Sequence, residues 1–241
     1  MPDAYQCKAL VRNVLAHAGL RRYRRADALL RLLRTFEIDV VLDVGANAGQ
    51  FARRLRDMGY RRRLVSFEPL AQPYHRLKSN TATIASWQAV HIALGDVDET
   101  RTIHVAGNSQ SSSFLPMLPQ HLAAAPKSAY VGTESVSVRR LDGVFDQYCA
   151  PHERVVLKID TQGYEAAVLR GAEQSLARCL GVQLEMSLAP LYQGELLLPD
   201  HIAAMAGRGF ALMDLKPGFR DPRTGGLLQL DGLFFRRRVG P

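Results

Sequence analysis

The amino-acid sequence predicts an α/β fold with a doubly wound, mostly parallel seven-stranded sheet. Strand-like and helix-like segments alternate from Val40 onward, as they do in repeated β–α–β units. The β-forming run Val40–Val44 leads into a glycine-containing turn and then a helical stretch, which brings backbone N–H groups close to a nucleotide-like ligand. The chain has 241 residues, 47% of them hydrophobic, which is enough for one sizeable core, and no linker divides it.

The residues before the first core strand are predicted to form a helical extension. Residues 4–36 carry apolar side chains at helical spacing, in one stripe before Gly19 and another after it. The leucines of the second stripe are Leu29, Leu30, Leu32 and Leu33. We therefore predict an N-terminal helical extension over residues 1–36 and a single α/β domain over residues 37–241.

The first three predicted strands alternate with two helices. Runs of β-forming residues predict strands at Val40–Val44, Leu64–Phe67 and Trp87–Leu94. Helical spacing of apolar residues predicts helices at Gln50–Met58 and Tyr74–Asn80, and Gly59 stands just past the first of them. Since a helix follows each of the first two strands, the strands are expected to be parallel neighbours.

The stretch between residues 100 and 139 interrupts this alternation. Arg101–Val105 and Glu134–Arg139 alternate polar and apolar side chains, as antiparallel strands do. The residues between them, Gly107–Tyr130, are rich in serine, proline and alanine. A loop of this length is usually an active-site lid, a substrate loop or a disordered segment.

The alternation returns after residue 140 and completes the seven strands. Strands are predicted at Val155–Ile159, Gly181–Met186, Phe210–Leu215 and Gly232–Phe235. Helices are predicted at Leu141–Tyr148, Tyr164–Arg178 and Asp200–Arg208, the last of them stopped by Gly209. Residues 216–226, rich in proline and glycine, are predicted to form a turn between the last two strands.

The formal net charge is +8, and many of the arginines occur in groups. These groups lie at Arg21–Arg25, Arg61–Arg63 and Arg236–Arg238. They attract phosphate on nucleic acid or on an anionic membrane surface, but a solvated arginine-rich surface explains them as well. The N-terminal group, next to the leucine stripe, suits a peripheral membrane contact or a homodimer contact. No nucleic-acid motif accompanies the arginines, so specific nucleic-acid binding is not expected.

The spacing of the cysteines and the length of the apolar runs indicate the cellular compartment. Cys7, Cys149 and Cys179 are scattered and match neither a disulfide framework nor a zinc site. The sequence has no run of about 18 apolar residues and no signal-peptide pattern. These features predict a cytoplasmic protein, with a peripheral position at the inner membrane face as a further expectation.

The segment VVLDVGANAGQF, residues 40–51, carries the first candidate site. Asp43 ends a predicted buried strand, where an acid is costly unless a partner compensates it. Gly45 and Gly49 allow a ligand to approach the backbone of the turn that follows. The turn is not the G-x-G-x-x-G dinucleotide fingerprint, because Asn47 and Gln50 stand where glycines would be needed.

Other acids follow strands whose carboxyl ends meet at the same edge of the sheet. Glu68 ends the second strand, where a carboxylate can accept both ribose hydroxyls. Asp96 follows the third strand, where it is predicted to accept an adenine N–H. Asp160 ends the fourth, beside the predicted transfer site, and Lys158 in the same strand needs a carboxylate partner. Glu165 is interpreted either as a functional acid or as part of a helix N-terminal network with Thr161.

Several ordered motifs resemble the FkbM family of S-adenosylmethionine (SAM)-dependent methyltransferases over Val40 to Arg237. The motifs are V-L-D-V-G-A-N-x-G-x-F, F-E-P, A-L-G-D, S-S-S-F, L-K-I-D-T-Q-G-Y-E, Q-L-E-M-S-L and Q-L-D-G-L-F-F. The resemblance implies a class I, Rossmann-like methyltransferase fold with SAM as cofactor. It also implies transfer to hydroxyl groups, commonly on sugars of glycolipids, polysaccharides or glycosylated secondary metabolites. Relatives often carry glutamate where this chain has Gln162.

Carried over motif by motif, the resemblance implies a set of cofactor contacts. These residues are Asp43, Gly45, Asn47, Gly49, Phe51, Glu68, Pro69, Asp96 and Ser112. Tyr192 and the segment Ser111–Phe114 are predicted to line the wall of the SAM or acceptor site.

Methylation of a sugar hydroxyl needs help in removing the proton, because such a hydroxyl is a weak acid. One alternative is a magnesium site built from Asp160, Glu185 and Asp231. The other is a metal-free site with Asp160 or His91 as the base, and the catalytic candidates are therefore Asp160, Glu185 and His91. Two other functions are weighed against this one: RNA methylation, suggested by the basic charge, and SAM binding without catalysis.

Overall fold

The computed structural model describes residues 28–237, and the strands and helices below are those of this part of the chain. The strands are β1 (Val40–Val44), β2 (Arg63–Phe67), β3 (Trp87–Val90), β4 (Ala93–Leu94), β5 (Glu99–Ala106), β6 (Tyr130–Arg139), β7 (Val155–Ile159), β8 (Cys179–Ser187), β9 (Phe210–Pro217) and β10 (Gln229–Arg236). The helices are α1 (Ala28–Thr35), α2 (Gln50–Asp57), α3 (Ala71–Thr81), α4 (Pro119–Ala124), α5 (Leu141–Tyr148), α6 (Glu165–Arg170), α7 (Glu173–Arg178) and α8 (Leu198–Gly207).

The main sheet has seven strands in the order β3-β2-β1-β7-β8-β10-β9. Strands β3, β2, β1, β7 and β8 pair in parallel, while β10 runs antiparallel to both of its neighbours. The chain winds outward from β1 in one direction and from β7 in the other, so the order reverses between these two strands. The doubly wound α/β prediction is confirmed, and the reversal point is where such sheets bind ligands.

Both faces of the sheet are covered by packed side chains, as parallel sheets require. On one face, Leu42 and Leu157 pack with residues of α5 and α6 in the larger core cluster. On the other face, Val41 and Val156 pack with residues of α1 and α2. The central strands β1 and β7 are therefore buried at every position, which explains their mostly apolar sequences.

The predicted third strand, Trp87–Leu94, is wrong as one element. Only β3 pairs with β2 in the main sheet, whereas β4 pairs in parallel with β6 in a separate three-stranded sheet. This small sheet has the order β4-β6-β5, and the β5–β6 pair is antiparallel, as the alternating sequence predicts. The break falls at His91 and Ile92, which carry the chain from one sheet to the other.

The predicted helix Tyr164–Arg178 is also wrong as one element, because it divides into α6 and α7 around Gly171. A β-carbon on Gly171 would lie 1.8 Å from the carbonyl oxygen of Gly95. Only glycine allows the two backbones to come this close. The corner between the helices therefore supports the turn that follows β4.

The predicted loop Gly107–Tyr130 contains α4 and a short 3₁₀ turn at Pro126–Ser128. Its two ends are tied together, because the Asn108 amide donates to the hydroxyls of Ser111 and Ser128, at 3.0 Å each. The prediction of one long loop is thus corrected to a partly helical segment with internal hydrogen bonds. Its mobility without substrate stays a prediction.

The leucines predicted for the N-terminal extension pack against the sheet. Leu29, Leu30 and Leu33 of α1 are buried in the same cluster as Val41 and Phe235. They are therefore not exposed as an apolar surface for a membrane or a second subunit. The arginines at 21–25 lie outside the described residues. Between residues 28 and 237, no helix combines the length and apolar character needed to cross a bilayer.

Candidate active site

A cleft opens at the carboxyl ends of β1, β2 and β7, next to the point where the strand order reverses. It encloses about 540 Å³ of space, which includes its open mouth. The polar residues of its lining are Asn47, Glu68, Ser109, Gln110, Ser112, Asp160, Thr161 and Gln162. The apolar residues include Ile92, Leu94, Ile103, Phe114 and Tyr164. The cleft thus has a polar part beside the strand ends and an apolar part between the two sheets.

The glycine turn after β1 forms one wall of the cleft. Gly45 has a left-handed backbone (φ 74°), and a β-carbon there would lie 1.9 Å from the carbonyl oxygen of Asp160. Gly49 is also left-handed (φ 84°), but a β-carbon there would meet the indole ring of Trp87 at 2.6 Å. Gly45 therefore shapes the cleft itself, while Gly49 lets α2 pack closely on β3.

Glu68 is a buried carboxylate that lines the cleft, with 4% of its surface exposed. The backbone N–H of Asn47 donates to one of its oxygens at 2.8 Å, and that of Leu70 to the other at 2.9 Å. Burial raises the pKa of Glu68 to about 7, although these two hydrogen bonds favour the ionised form. Each oxygen keeps a second lone pair that a ligand hydroxyl can use.

Asp43, Lys158 and Asp160 form an ion cluster beneath the cleft. The Lys158 ammonium lies 3.0 Å from the Asp43 carboxylate and 3.4 Å from that of Asp160. Asp43 is fully buried and accepts a further hydrogen bond from the Ser66 hydroxyl at 3.2 Å. Burial opposes the charge on Lys158, but attraction to Asp160 and Asp43 outweighs it and raises the pKa of Lys158. The carboxylate partner expected for Lys158 is present.

Asp160 is the acid of this cluster that reaches the cleft, with 35% of its side chain exposed. The side-chain amide of Gln162 donates to it at 3.0 Å and to Glu185 on β8 at 2.6 Å. Burial, followed by repulsion from Asp160, raises the pKa of Glu185 well above the ordinary range. Tyr192 closes the network by donating its hydroxyl to the carbonyl oxygen of the Gln162 side chain at 2.9 Å.

Glu165 takes part in a hydrogen-bond network at the N-terminus of α6, which is one of its two predicted roles. Its carboxylate accepts hydrogen bonds from the backbone N–H of Thr161 at 2.6 Å and from the Thr161 hydroxyl at 3.1 Å. Burial raises the pKa of Glu165 to about 7. The side chain therefore points back into the turn and fixes the backbone around Asp160.

The three acids predicted to bind magnesium, Asp160, Glu185 and Asp231, do not form a common metal site. Asp231 lies opposite Glu185 in the sheet, but its carboxylate binds the Lys216 ammonium at 3.0 Å. Glu185 and Asp160 are joined through the Gln162 amide, a hydrogen-bond donor that faces the space between them. Among residues 28–237, no group of three or more His, Cys, Asp or Glu side chains is arranged to hold a metal ion.

Seven of the residues predicted to bind the cofactor or a metal, or to catalyse the transfer, do not line the cleft: Asp43, Gly49, Phe51, His91, Asp96, Glu185 and Asp231. His91 is exposed, its ring is stacked on that of Tyr74, and its Nε2 lies 2.9 Å from the Pro69 carbonyl oxygen. Asp96 binds the guanidinium of Arg170 through two hydrogen bonds, at 3.0 and 2.7 Å. Phe51 packs in the core beneath the Lys158 ammonium. By contrast, Gly45, Asn47, Glu68, Pro69, Ser112 and Asp160 all line the cleft.

Two cleft features were not predicted from the sequence. Gln162 is the centre of the polar network, and its left-handed backbone (φ 57°) is uncommon for a residue other than glycine. The second is Ile103 of β5, which lies in the apolar part of the cleft with Phe114, a residue that was predicted as part of the wall. Gly163, in a turn directly after a strand, is the signal that could have indicated an unusual backbone at this place.

Comparison with known proteins gives a family match and two similar curated proteins. The sequence model of the methyltransferase FkbM domain matches residues 43–212, more than half of the chain. The 2-O-methyltransferase NoeI of Sinorhizobium fredii is 27% identical over 187 residues, which cover 75% of this chain and 72% of NoeI. The AMB antimetabolite synthetase AmbE of Pseudomonas aeruginosa is 29% identical over 206 residues, which cover 73% of this chain but only 9% of that protein.

Solved structures with a similar chain path have low sequence identity to this protein. The 1,6-didemethyltoxoflavin-N1-methyltransferase of Burkholderia thailandensis has a TM-score of 0.45 and 11% identity, covering 98% of this chain and 91% of that one. An rRNA methylase from Streptococcus thermophilus has a TM-score of 0.44 and 10% identity, covering 83% of this chain and 89% of that one. Likenesses this distant say nothing about a shared substrate.

Proposed function

The chain belongs to the FkbM family of SAM-dependent methyltransferases, and we propose that it methylates a sugar hydroxyl. The acceptor is a sugar of a glycolipid, a polysaccharide or a glycosylated secondary metabolite. One observation carries the proposal: a single cleft is lined both by the buried carboxylate of Glu68 and by the partly exposed carboxylate of Asp160. The first suits the cofactor, and the second suits an acceptor hydroxyl.

The cofactor half of the cleft has the chemistry that SAM requires. At Gly45 the turn packs directly against the Asp160 carbonyl, so a side chain there would force the two strand ends apart. Glu68 would hold the ribose hydroxyls with the lone pairs that Asn47 and Leu70 leave free. The apolar part, with Leu94 and Phe114, suits the flat face of an adenine ring. When bound, SAM supplies an electrophilic methyl group on its sulfonium.

The acceptor half centres on Asp160, which would take the proton of the attacking hydroxyl. Oδ1 of Asp160 is held by the Gln162 amide, and Oδ2 lies 3.4 Å from the Lys158 ammonium. Both oxygens are thus fixed, while the side chain still reaches the open cleft. An oriented carboxylate places the hydroxyl oxygen in line with the methyl group, and positioning of this kind contributes much of the acceleration of such transfers.

Transfer to oxygen is favoured over transfer to nitrogen or carbon for two reasons. NoeI, the relative described above, is a 2-O-methyltransferase by name. The turn after β7 reads D-T-Q-G, so it supplies a carboxylate and lacks both the cysteine and the N-P-P-Y-type motif that RNA and amine methyltransferases use at this place. The cytoplasmic location, the anionic-membrane contact and the homodimer remain proposals of the same kind.

The experiment that tests this function incubates the purified protein with methyl-tritiated SAM and separated cell fractions of the source organism. The fractions are glycolipid, polysaccharide and total RNA, assayed at moderate salt because RNA binding depends on it. We expect label in a glycan fraction, and hydrolysis followed by linkage analysis should recover an O-methyl sugar. Label confined to RNA, or no transfer to any glycan by protein that binds SAM, would overturn the proposal.

A further inference from the structure

We propose that Gln162 is a positioning residue that fixes the Asp160 carboxylate for proton transfer, and that Tyr192 sets the direction of the Gln162 amide. This inference rests on the proposed function, because it assigns Asp160 the acceptor proton. It goes beyond that function in giving a neutral side chain control over the reactive acid.

Both N–H groups and the oxygen of the Gln162 side-chain amide have hydrogen-bond partners inside the protein. Its nitrogen donates one hydrogen to Asp160 at 3.0 Å and the other to Glu185 at 2.6 Å. Its oxygen accepts the Tyr192 hydroxyl at 2.9 Å. Asp160 pairs with the Lys158 ammonium as a carboxylate, which only accepts hydrogen bonds, so a flipped amide would set its oxygen against that carboxylate. One orientation of the amide therefore satisfies all three partners.

The backbone around Gln162 is shaped to hold this side chain. Gln162 has a left-handed φ of 57°, and three of the four such residues other than glycine in the described part of the chain line the cleft: Asn47, Ser109 and Gln162. Unfavourable backbone geometry of this kind concentrates at functional sites, where the surroundings maintain it. Here the Ser113 hydroxyl donates to the Gln162 carbonyl at 2.7 Å, and Gly163 leaves room for the Tyr192 side chain.

Tyr192 is fully buried and connects three separate segments at this point. Its hydroxyl lies 2.9 Å from the Gln162 side-chain oxygen and 3.2 Å from the Ser111 carbonyl oxygen. The Glu195 carboxylate accepts the Tyr192 backbone N–H at 2.9 Å, which fixes the loop carrying the ring. The ring is therefore held in place, and its hydroxyl donates to the amide oxygen on the side of Gln162 that faces away from the acids.

The amide touches two acids, and further charged groups surround these acids and Tyr192. They are Lys158 of β7, Asp160 and Glu165 of the following turn and helix, Glu185 of β8, Glu195 of the loop after β8, and Asp231 of β10. A donor between Asp160 and Glu185 allows the two acids to lie close together. Without that donor, Oδ1 of Asp160 loses its bond and the half-exposed carboxylate can rotate.

Activity measurements on Gln162→Met test the inference, with Gln193→Met as the matched control. Methionine keeps the length of the side chain but donates nothing, and Gln193 is an exposed glutamine of the neighbouring loop. We expect the kcat of Gln162→Met to fall about 10- to 100-fold, as misplacement of a reacting group does. The Kd for SAM and the KM for the acceptor should change less than threefold, and Gln193→Met should match the wild type.

Gln162→Glu adds a pH readout that a purely structural role would not produce. A protonated glutamic acid can still donate to Asp160, whereas the ionised form cannot. We therefore expect its rate, relative to the wild type at each pH, to be highest at low pH and to fall as the pH rises. A constant ratio across the pH range would overturn the inference.

Tyr192→Phe completes a double-mutant cycle with Gln162→Met. Removal of one neutral hydrogen bond is expected to lower kcat about 2- to 10-fold in the wild-type background. In the Gln162→Met background it should have no further effect on kcat, because the amide that Tyr192 directs is absent. Equal effects in both backgrounds would overturn the role assigned to Tyr192.

Side-chain amide exchange tests the geometry without cofactor, acceptor or turnover. Both Gln162 side-chain protons should exchange with solvent deuterium more slowly than those of Gln193, as followed by NMR. Equally rapid exchange would overturn the inference, as would an unchanged kcat in Gln162→Met while the wild type methylates a glycan. A wild type that binds SAM but methylates no glycan would instead overturn the proposed function, and this inference with it.

Discussion

Replacement of Lys158 by methionine tests whether the buried ion cluster stabilises the fold. Only 5% of the Lys158 side chain is exposed, and its ammonium lies 3.0 Å from the fully buried Asp43. Methionine fills similar space but carries no charge. Asp43 would keep only the Ser66 hydroxyl, at 3.2 Å, as a side-chain partner.

The magnitude follows from the burial of the acid that is left behind. Removal of one partner from a buried ion pair costs about 3–5 kcal/mol, because the remaining charge is uncompensated. The cost comes mainly from Asp43, since 35% of the Asp160 side chain is exposed and water can solvate it. A protein of ordinary stability, about 5–15 kcal/mol, would retain a measurable transition.

Urea unfolding followed by circular dichroism measures the loss. We expect Lys158→Met to lower the unfolding midpoint by about 1–2 M, given the denaturant sensitivity of a domain of this size. The control Lys78→Met, at an exposed position of α3, should stay within about 0.5 kcal/mol of the wild type. The double variant Asp43→Asn/Lys158→Met should recover part of the loss. A Lys158→Met protein as stable as the wild type, or a double variant less stable than the single one, would refute the reasoning.

Two further predictions concern the cleft. Glu68→Ala should weaken SAM binding by about 1–3 kcal/mol in calorimetry. Unchanged affinity in folded Glu68→Ala would remove Glu68 from the ribose role. In the wild type, the affinity for SAM should fall as the pH drops below about 7, because burial raises the pKa of Glu68 to about 7 and a protonated carboxyl accepts hydroxyl donors poorly. Hydrogen exchange in Gly107–Tyr130 should slow when SAM and acceptor are added. If this segment exchanges as slowly as the core strands without ligands, and adding SAM and acceptor changes nothing, it does not act as a cover over the acceptor.

The parallel half of the fold could be predicted because its sequence signals are local. Val40–Val44 and Val155–Ile159 are apolar except for Asp43 and Lys158, and the observed strands have the same bounds. The errors arose where a distant contact decides the structure. The division of Trp87–Leu94 depends on pairing with β6, and the corner at Gly171 depends on the backbone of Gly95. Neither the pairing of β4 with β6 nor the approach of Gly171 to Gly95 can be predicted from the neighbouring residues alone.

The same distinction applies to the candidate site. Glu68 and Asp160 could be placed at one edge because each ends a parallel strand, and such ends converge. The other partners of the Gln162 amide could not be predicted, because Glu185 and Tyr192 lie more than 20 residues from Gln162 in the sequence. The single lysine in β7 predicted a carboxylate partner for its charge. The sequence did not indicate that Lys158 would pair with two carboxylates, those of Asp43 and Asp160.

The central claim, that Asp160 takes the proton of the acceptor hydroxyl, is tested most directly by single-turnover methyl transfer in Asp160→Asn. Asparagine keeps the shape and can still accept the Gln162 amide, but it carries no charge and is a far weaker base. The account predicts a rate at least about 10²-fold lower at an unchanged Kd for SAM, as for the loss of a general base. Wild-type transfer rates in Asp160→Asn would contradict it.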